Sequence, residues 1–550
     1  MNRTLVGLVL VVLCAGLFLR DAWPPDETRY ADVARAMSAG EGAIVPRLHG
    51  EVYGEKPPLF FWASAAVGEL GVPVGLAPRV VSLLAAAATL ALLPRLGRGL
   101  GLETETASRG ALVLATAPLF LAYAHVGMLD ATSTALVCAA IAAKVARAER
   151  RGPARAALVG AEGLVLGAAL LTKGPVLLLF PLGARVGAWL GERRRSSSGP
   201  ERPAAALDAS DLVALGVALA VAGSWLAAAA CVEGASYVRA ITLGQAVRRM
   251  TGDAPHLRPP GYLLLVTAAG LLPWTLLGVG RPPASPSDSA PRTMAGRAAL
   301  LGWIVLPLVL LSLLRTQQPH YLLPVLPAAA LLLAERVEGA PRRAVRAAAA
   351  LGVLLGAGLL AVPFALARVG ARHERDALVA FVAHDPAIAA GAVCAGLLLL
   401  LVTLWPAPPR LRLAPWQRAA AACVGLLALG LLALHRLDAF MSPRALLAAP
   451  SVRDARAFEA PSSVRSAVRL LAGGAEVEVL AERSVRDRLL ADPGRVALVW
   501  EGDVPALGLG HDAVGEVARG YARGRVLVAL RAVPIPSASP ERVSRPPASR

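Results

Sequence analysis

The sequence predicts an all-α polytopic membrane bundle of about thirteen transmembrane helices, followed by a small outer α/β domain. Three observations predict it. Of the 550 residues, 56% are hydrophobic and 17% charged, with a mean hydropathy of +0.57. A single soluble core stops growing near 250–300 residues and could not hide that much apolar surface. Apolar runs near the ~20 residues a helix needs to cross hydrocarbon recur through the first four-fifths of the chain. Lysine and arginine then gather in alternate loops between those runs, as topology charges do.

The runs fall at 5–19, 79–94, 110–124, 128–146, 157–171, 175–190, 211–231, 261–279, 298–314, 321–335, 345–367, 388–405 and 418–435. Alanine, leucine and valine dominate them, which suits segments whose backbone polar groups must be satisfied inside their own helix. The first run carries Arg3, but no small-x-small site precedes Arg20-Asp21 and the triplet before Cys14 is Val11-Val12-Leu13. It is expected to be an uncleaved first span.

With the N-terminus inside, every inner loop is basic: Arg95, Arg98 and Arg109, then Lys144, Arg147, Arg150, Arg151 and Arg155, then Arg193–Arg195, and so on to Arg410, Arg412 and Arg418. The net charge of +18 is therefore assigned to topology and to anionic lipid headgroups, not to nucleic acid. Segments 193–210 and 281–297, rich in Ser, Pro and Arg, are expected to be inner linkers. The outer side receives loops 20–78, 232–260 and 368–387 and everything after about 436. Residues 1–435 thus form the membrane domain and 436–533 an outer α/β domain, with strand-like runs at Glu476–Ala481, Arg495–Trp500 and Arg525–Val533. The Pro- and Ser-rich tail 534–550 is expected to be disordered. Cys14, Cys138, Cys231, Cys394 and Cys423 all sit in or beside apolar runs without metal or CxxC spacing, as small buried hydrophobes do.

Loop 20–78 is dense in charge beside an aromatic stretch: Asp26-Glu27-Thr28-Arg29-Tyr30-Ala31, later Tyr53-Gly54-Glu55-Lys56-Pro57-Pro58, then Leu59-Phe60-Phe61-Trp62. Asp26, Arg29, Asp32 and Arg35 have helical spacing, which a short helix capped by Asp26 explains without any function. Lysine usage weighs the other way. Only Lys56, Lys144 and Lys173 occur among 56 basic residues, and a lysine in an arginine-committed chain suggests a need for a compact ammonium. Lys144 sits at an inner helix end as an ordinary topology charge, whereas Lys56 and Lys173 lie on the outer side beside prolines.

Four motifs then occur in order: Asp26–Ala31, Glu55-Lys56-Pro57-Pro58-Leu59, Leu171-Thr172-Lys173-Gly174-Pro175 and Pro319-His320-Tyr321-Leu322-Leu323-Pro324. Together they resemble the bacterial lipid A aminoarabinose transferases and the related dolichyl-phosphate-mannose–protein mannosyltransferases, which are GT-C membrane glycosyltransferases. The resemblance covers roughly residues 5–330 by motif and the whole chain by layout. It implies a first outer loop folded into membrane-parallel helices, a polyprenyl (undecaprenyl) phosphate-linked sugar as donor, and lipid A or another envelope glycan or protein as acceptor. It also implies a bacterial inner membrane location with a periplasmic C-terminal domain.

Residue by residue, the resemblance implies that Asp26 is the acidic group at the reaction centre and Asp130 a second one. Tyr30 and Tyr53 match aromatic positions lining the cavity, next to Arg29. Lys56, Arg249 and Tyr321 match groups that hold the carrier phosphate, a role that suits them because bonds from charged donors to phosphate are the strong kind. Asp26 is a general base if the acceptor is a hydroxyl, and otherwise orients the sugar or balances charge. Relatives can bind a divalent metal between the Glu55 position and a histidine in the second long loop. Here Leu243-Gly244-Gln245-Ala246 holds no histidine, and His256 further on is the substitute candidate. No other cofactor is required. Lys173 could equally cap a helix or touch headgroups, His320 could be packing, and Trp274 after Pro273 is expected to anchor at the interface. A lipid or sugar transporter is the competing class, but it calls for ionisable groups at mid-membrane, and these runs hold very few charges, with Glu162 and Asp211 near run ends.

Overall fold

A computed structural model of the chain describes residues 2–196, 208–244, 257–259, 261–280, 291–372, 386–404, 414–472, 475–480, 484–507, 514–523 and 525–532. Two compact units result: Met1–Ala22 with Asp26–Asp438, and Trp23–Pro25 with Ala439–Arg550.

The first unit is a helical, multi-pass membrane bundle. Its opening elements are α1 (Asn2–Gly16), α2 (Asp26–Ser38), a two-stranded antiparallel hairpin β1 (Arg47–Leu48) and β2 (Glu51–Val52), α3 (Leu59–Glu69) and α4 (Ala77–Gly99). Then follow α5 (Thr104–Ala115), α6 (Pro118–Ala124), α7 (Asp130–Ala148), α8 (Gly152–Lys173), α9 (Leu179–Ser196) and α10 (Ala209–Arg239). Among the described residues, eight helices are long and apolar enough to cross a membrane, or nine if the bent pair α5–α6 counts as one span.

The expected number of thirteen is therefore not reached by length, and the reasons are local. The 110–124 run breaks by 66° between α5 and α6 at Pro118, a residue that cannot donate to the preceding turn. The 261–279 run divides into Tyr262–Gly270 and Trp274–Leu277 around Pro273. The 321–335 run begins as a 3-10 turn, Pro319–Val325, before the helix Leu326–Ala334. Run 211–231 instead lengthens to a 36-residue helical stretch ending at Gly244.

Small residues let the spans close up. Gly183 and Gly187 of α9 face Gly302 and Ala298 of Pro291–Ser312, where a Cβ on Gly187 would meet the Ala298 carbonyl at 2.1 Å. No larger side chain fits there. Trp274, expected at the interface, is fully buried in this unit, as is Trp303. Aromatic size filled the core in place of anchoring the surface. Likewise Cys14, Cys231 and Cys394 lie on the bundle exterior, and only Cys138 is deeply buried.

The second unit is a five-stranded sheet of β3 (Ala457–Ala460), β4 (Glu476–Val479), β5 (Arg495–Trp500), β6 (Val514–Ala522) and β7 (Arg525–Ala532) in the order β4-β3-β5-β7-β6. β3 pairs in parallel with β4 and β5, and β7 antiparallel with β5 and β6. Alternation along β5 sends Val496, Leu498 and Trp500 to one core and Ala497 and Val499 to another, so both faces are covered. The three expected strands are present and two more join them. The tail 534–550 lies outside the described residues.

Candidate functional site

α2 has a strongly polar sequence, yet most of it is buried, including Glu27, Tyr30 and Asp32. Ion pairs make that burial possible. Arg20 donates to Glu27 at 2.5 and 3.0 Å, and the Gly127 amide donates to the same carboxylate at 2.7 Å. Arg79 of α4, also buried, donates to the carbonyls of Gly16, Arg20 and His125 and lies 3.9 Å from Glu27. Burial alone would raise the Glu27 carboxyl, but the Arg20 guanidinium and then Arg79 outweigh it and hold the group below the usual carboxylate range. On the neighbouring turn, Asp32 accepts from Arg35 at 2.9 Å and meets His49 of the hairpin at 3.0 Å. The helical spacing of Asp32 and Arg35 is visible in the sequence, but the partners Arg79 and Gly127 of Glu27 and His49 of Asp32 are not, because they lie far along the chain.

With α2 fixed this way, its half-buried edge carries Asp26 and Arg29. Arg29 pairs with Asp26 and lies 3.4 Å from Glu55, and its guanidinium sits 5.7 and 5.9 Å from the Tyr30 and Tyr53 ring centres. The Tyr53 hydroxyl donates to Glu55 at 3.2 Å. Tyr30, Tyr53, Phe60 and Phe61 interlock edge-on, with ring centres 5.6–6.1 Å apart. Burial first, then Asp26 for Tyr30 and Tyr30 for Tyr53, push both phenols well up, so both stay protonated donors across the working range. Lys56 follows at the rim, its ammonium 3.4 Å from the Glu55 carbonyl.

The second half of the site comes from the span ends. Asp130 opens α7 and Lys173 closes α8, and the two form a buried ion pair with side chains 1% and 6% exposed. Gly174 ends α8 at φ +79°, a left-handed value that suits glycine, and lets the chain turn at once into the 3-10 turn Pro175–Leu178. The Lys173 ammonium also lies 5.3 Å from the Tyr321 ring centre. His320 stands against both Tyr321 and Tyr123, at 5.1 and 5.5 Å between ring centres. One carboxylate oxygen of Asp130, Oδ2, has no hydrogen-bond partner among the described residues.

The two halves share one neighbourhood. Tyr30 packs with Leu129, beside Asp130. Asp130 feels the charges of both Lys173 and Lys56, and His320 those of Asp130, Lys173, Asp26 and Lys56. Asp26, Arg29, Tyr30, Tyr53, Glu55, Lys56, Asp130, Lys173 and Tyr321 are thus gathered at one end of the bundle. Lys173 partners a carboxylate there and does not simply cap its helix. Arg249 and His256 lie outside the described residues. Glu55 is already engaged by Arg29 and Tyr53, and no cluster of three His, Cys, Asp or Glu side chains suited to a metal occurs among the described residues. His320, which could be packing by its sequence, packs between these two tyrosines and lies within the field of Asp130 and Lys173. Tyr123 was missed, since a lone tyrosine in an apolar run gives no signal.

The geometry defines a polytopic membrane protein with a charged, aromatic-walled site at one membrane face, and the comparisons agree with that class. The fold matches the crystal structure of ArnT from Cupriavidus metallidurans bound to undecaprenyl phosphate, with a TM-score of 0.72 and 21% identity over 96% of this chain and 97% of that one. Residues 55–200 match the family model described as dolichyl-phosphate-mannose-protein mannosyltransferase. A relative from Pseudomonas paraeruginosa, an undecaprenyl phosphate-alpha-4-amino-4-deoxy-L-arabinose arabinosyl transferase, is 32% identical over 372 residues, which is 64% of each chain. Another of the same description from Edwardsiella ictaluri is 29% identical over 364 residues, 65% of this chain and 64% of that one. In fold, and in sequence over part of its length, the chain is similar to the aminoarabinose transferases and to the protein mannosyltransferase-like proteins, and it spans less than two thirds of the length of these curated relatives.

Proposed function

We propose that this chain is a glycosyltransferase moving 4-amino-4-deoxy-L-arabinose from undecaprenyl phosphate to lipid A, or to another envelope acceptor, on the periplasmic side of the bacterial inner membrane. The observation that carries the reading is the gathering of Lys56, Lys173 and Tyr321 with Asp26 and Asp130 at one end of the bundle. The relatives' names supply the sugar and the carrier. In this reading the N-terminus is cytoplasmic, the site faces the periplasm, and residues 436–533 form a periplasmic domain.

Transfer breaks the bond between the sugar C1 and the carrier phosphate oxygen, and the phosphate departs with the electron pair. Fixed cations and donors where that charge grows lower the barrier. In this reading Lys56 supplies such a cation, Tyr321 a hydroxyl, and Arg249 completes the set proposed for the phosphate. The acceptor oxygen bonds to C1 as the phosphate leaves. An acceptor phosphate is already anionic and needs no base, and Asp26, tied to Arg29, then orients the sugar. With a hydroxyl acceptor, Asp26 takes its proton. The free oxygen of Asp130 is available to accept from a sugar hydroxyl or amine.

Lipid A mass spectrometry of a host with and without the gene tests the acceptor. Loss of a pentosamine addition supports lipid A. Unchanged lipid A with loss of mannose from envelope proteins would favour the protein mannosyltransferase reading, which the family match over 55–200 supports.

A further inference from the structure

α4 runs the width of the bundle, so its ends lie on opposite membrane faces. Its first turn reaches the site network through Arg79, and its last two turns carry Arg95 and Arg98. At that far end, α1, α4 and α5 enclose a groove of about 430 Å³. This is within the ~300–1,000 Å³ of ordinary ligand pockets. The wall is made of small residues: Gly7 of α1, where an added Cβ would meet nothing within 4 Å, and Ala87 and Ala91 of α4. Leu10 and Leu90 line the interior, and the polar groups Arg95, Arg98, Thr104 and Ser108 also border the groove.

The charges are distributed unevenly on this face. Arg109 pairs with Glu338, Lys144 and Arg147 with Asp211, and Arg297 with Glu335. Arg95 and Arg98 make no ion pair among the described residues, and both are exposed, Arg95 bonding only back to the Ala91 carbonyl. Glu105, the nearest acidic group on α5, turns to Arg109 instead, at 3.9 Å. An apolar slot with two unneutralised guanidinium groups and two hydroxyls beside it matches one kind of occupant: an anionic headgroup carrying a hydrocarbon chain.

We propose that this groove is a binding site for an acidic phospholipid of the leaflet opposite the transfer site, its phosphate held by Arg95 and Arg98 and one acyl chain lying past Gly7 and Ala91. The proposal is independent of the assigned sugar and acceptor. Native mass spectrometry of the full-length protein, purified from vesicles of equal phosphatidylglycerol and phosphatidylcholine, reads it directly. The wild type should retain phosphatidylglycerol in preference. A juxtamembrane cation contributes about 1 kcal/mol toward an anionic surface, so R95Q/R98Q should lower phosphatidylglycerol affinity about 30-fold, or ~2 kcal/mol at 1.4 kcal/mol per tenfold. Gly7→Leu, which fills the slot and leaves both arginines, should lower it as well, whereas R343Q on α-helix Arg342–Arg372 should not. Equal retention by R95Q/R98Q, or by the single variants R95Q and R98Q should the double variant not fold, would overturn the proposal. Unchanged retention by Gly7→Leu would do so too, since the attraction would then belong to the surface and not to the groove.

Discussion

Replacing Glu27 by alanine should destabilise the membrane unit by about 4 kcal/mol, within the ~3–5 kcal/mol typical of breaking a buried ion pair from one side. The magnitude follows from what is left behind. Arg20 and Arg79 are 8% and 1% exposed, and Glu27 is the carboxylate that faces both. The Gly127 amide loses its acceptor in the same step, a cost already inside that range because the groups form one network. Thermal unfolding of the purified protein, followed by tryptophan fluorescence, measures the effect. Glu27→Gln should be milder, since it keeps an acceptor for Gly127 but not the charge. The double variant E27L/R20L should recover part of the loss, because it removes one of the two stranded cations and leaves only Arg79 without its carboxylate. A Glu27→Ala protein melting within about 0.5 kcal/mol of wild type would refute the idea that this network seats α2, and with it the reason Asp26 and Arg29 stand where they do.

Asp130→Asn should also destabilise, by leaving the Lys173 ammonium buried without its carboxylate, while D130N/K173M should regain stability in a melt and still show no sugar transfer. His125 is brought to about 4 from 6.5 by burial first and by Arg20 next. The unfolded chain therefore takes up its proton before the folded one does. Stability fully present above pH 6.5 should fall as the pH drops towards 4, by at most ~3 kcal/mol, and a pH series of melts on H125N should show a flatter slope. Gly174→Ala forces a Cβ into φ +79° and should cost about 1 kcal/mol, seen as a lower melting midpoint than the wild type.

Much of this architecture was legible because bilayer thickness imposes its own period on a sequence. The long runs at 79–94, 128–146, 157–171, 388–405 and 418–435 each became one helix. Runs interrupted by Pro118, Pro273 or Pro324 were not legible as broken, since hydropathy averages over a residue that removes one donor. In the site, the motif residues Asp26, Arg29, Glu55 and Lys56 could be read, because a polar group kept in an apolar chain stands out. Their supports could not. Glu27 meets Arg79 and Gly127, and Asp32 meets His49, across sequence separations that no local pattern records. Trp274 shows the opposite error: tryptophan is at home both at the interface and in a core, and here packing decided.

The central claim is that fixed positive charge at the rim of this bundle stabilises a departing lipid phosphate. Single-turnover sugar transfer by purified Lys56→Ala, with undecaprenyl-phosphate-linked aminoarabinose as donor, tests it most directly. The account predicts a rate lowered by about 10²–10³ in a protein that melts like wild type, with Lys56→Arg recovering only part of it because a planar fork does not replace a compact ammonium. Transfer at the wild-type rate by folded Lys56→Ala would contradict the account.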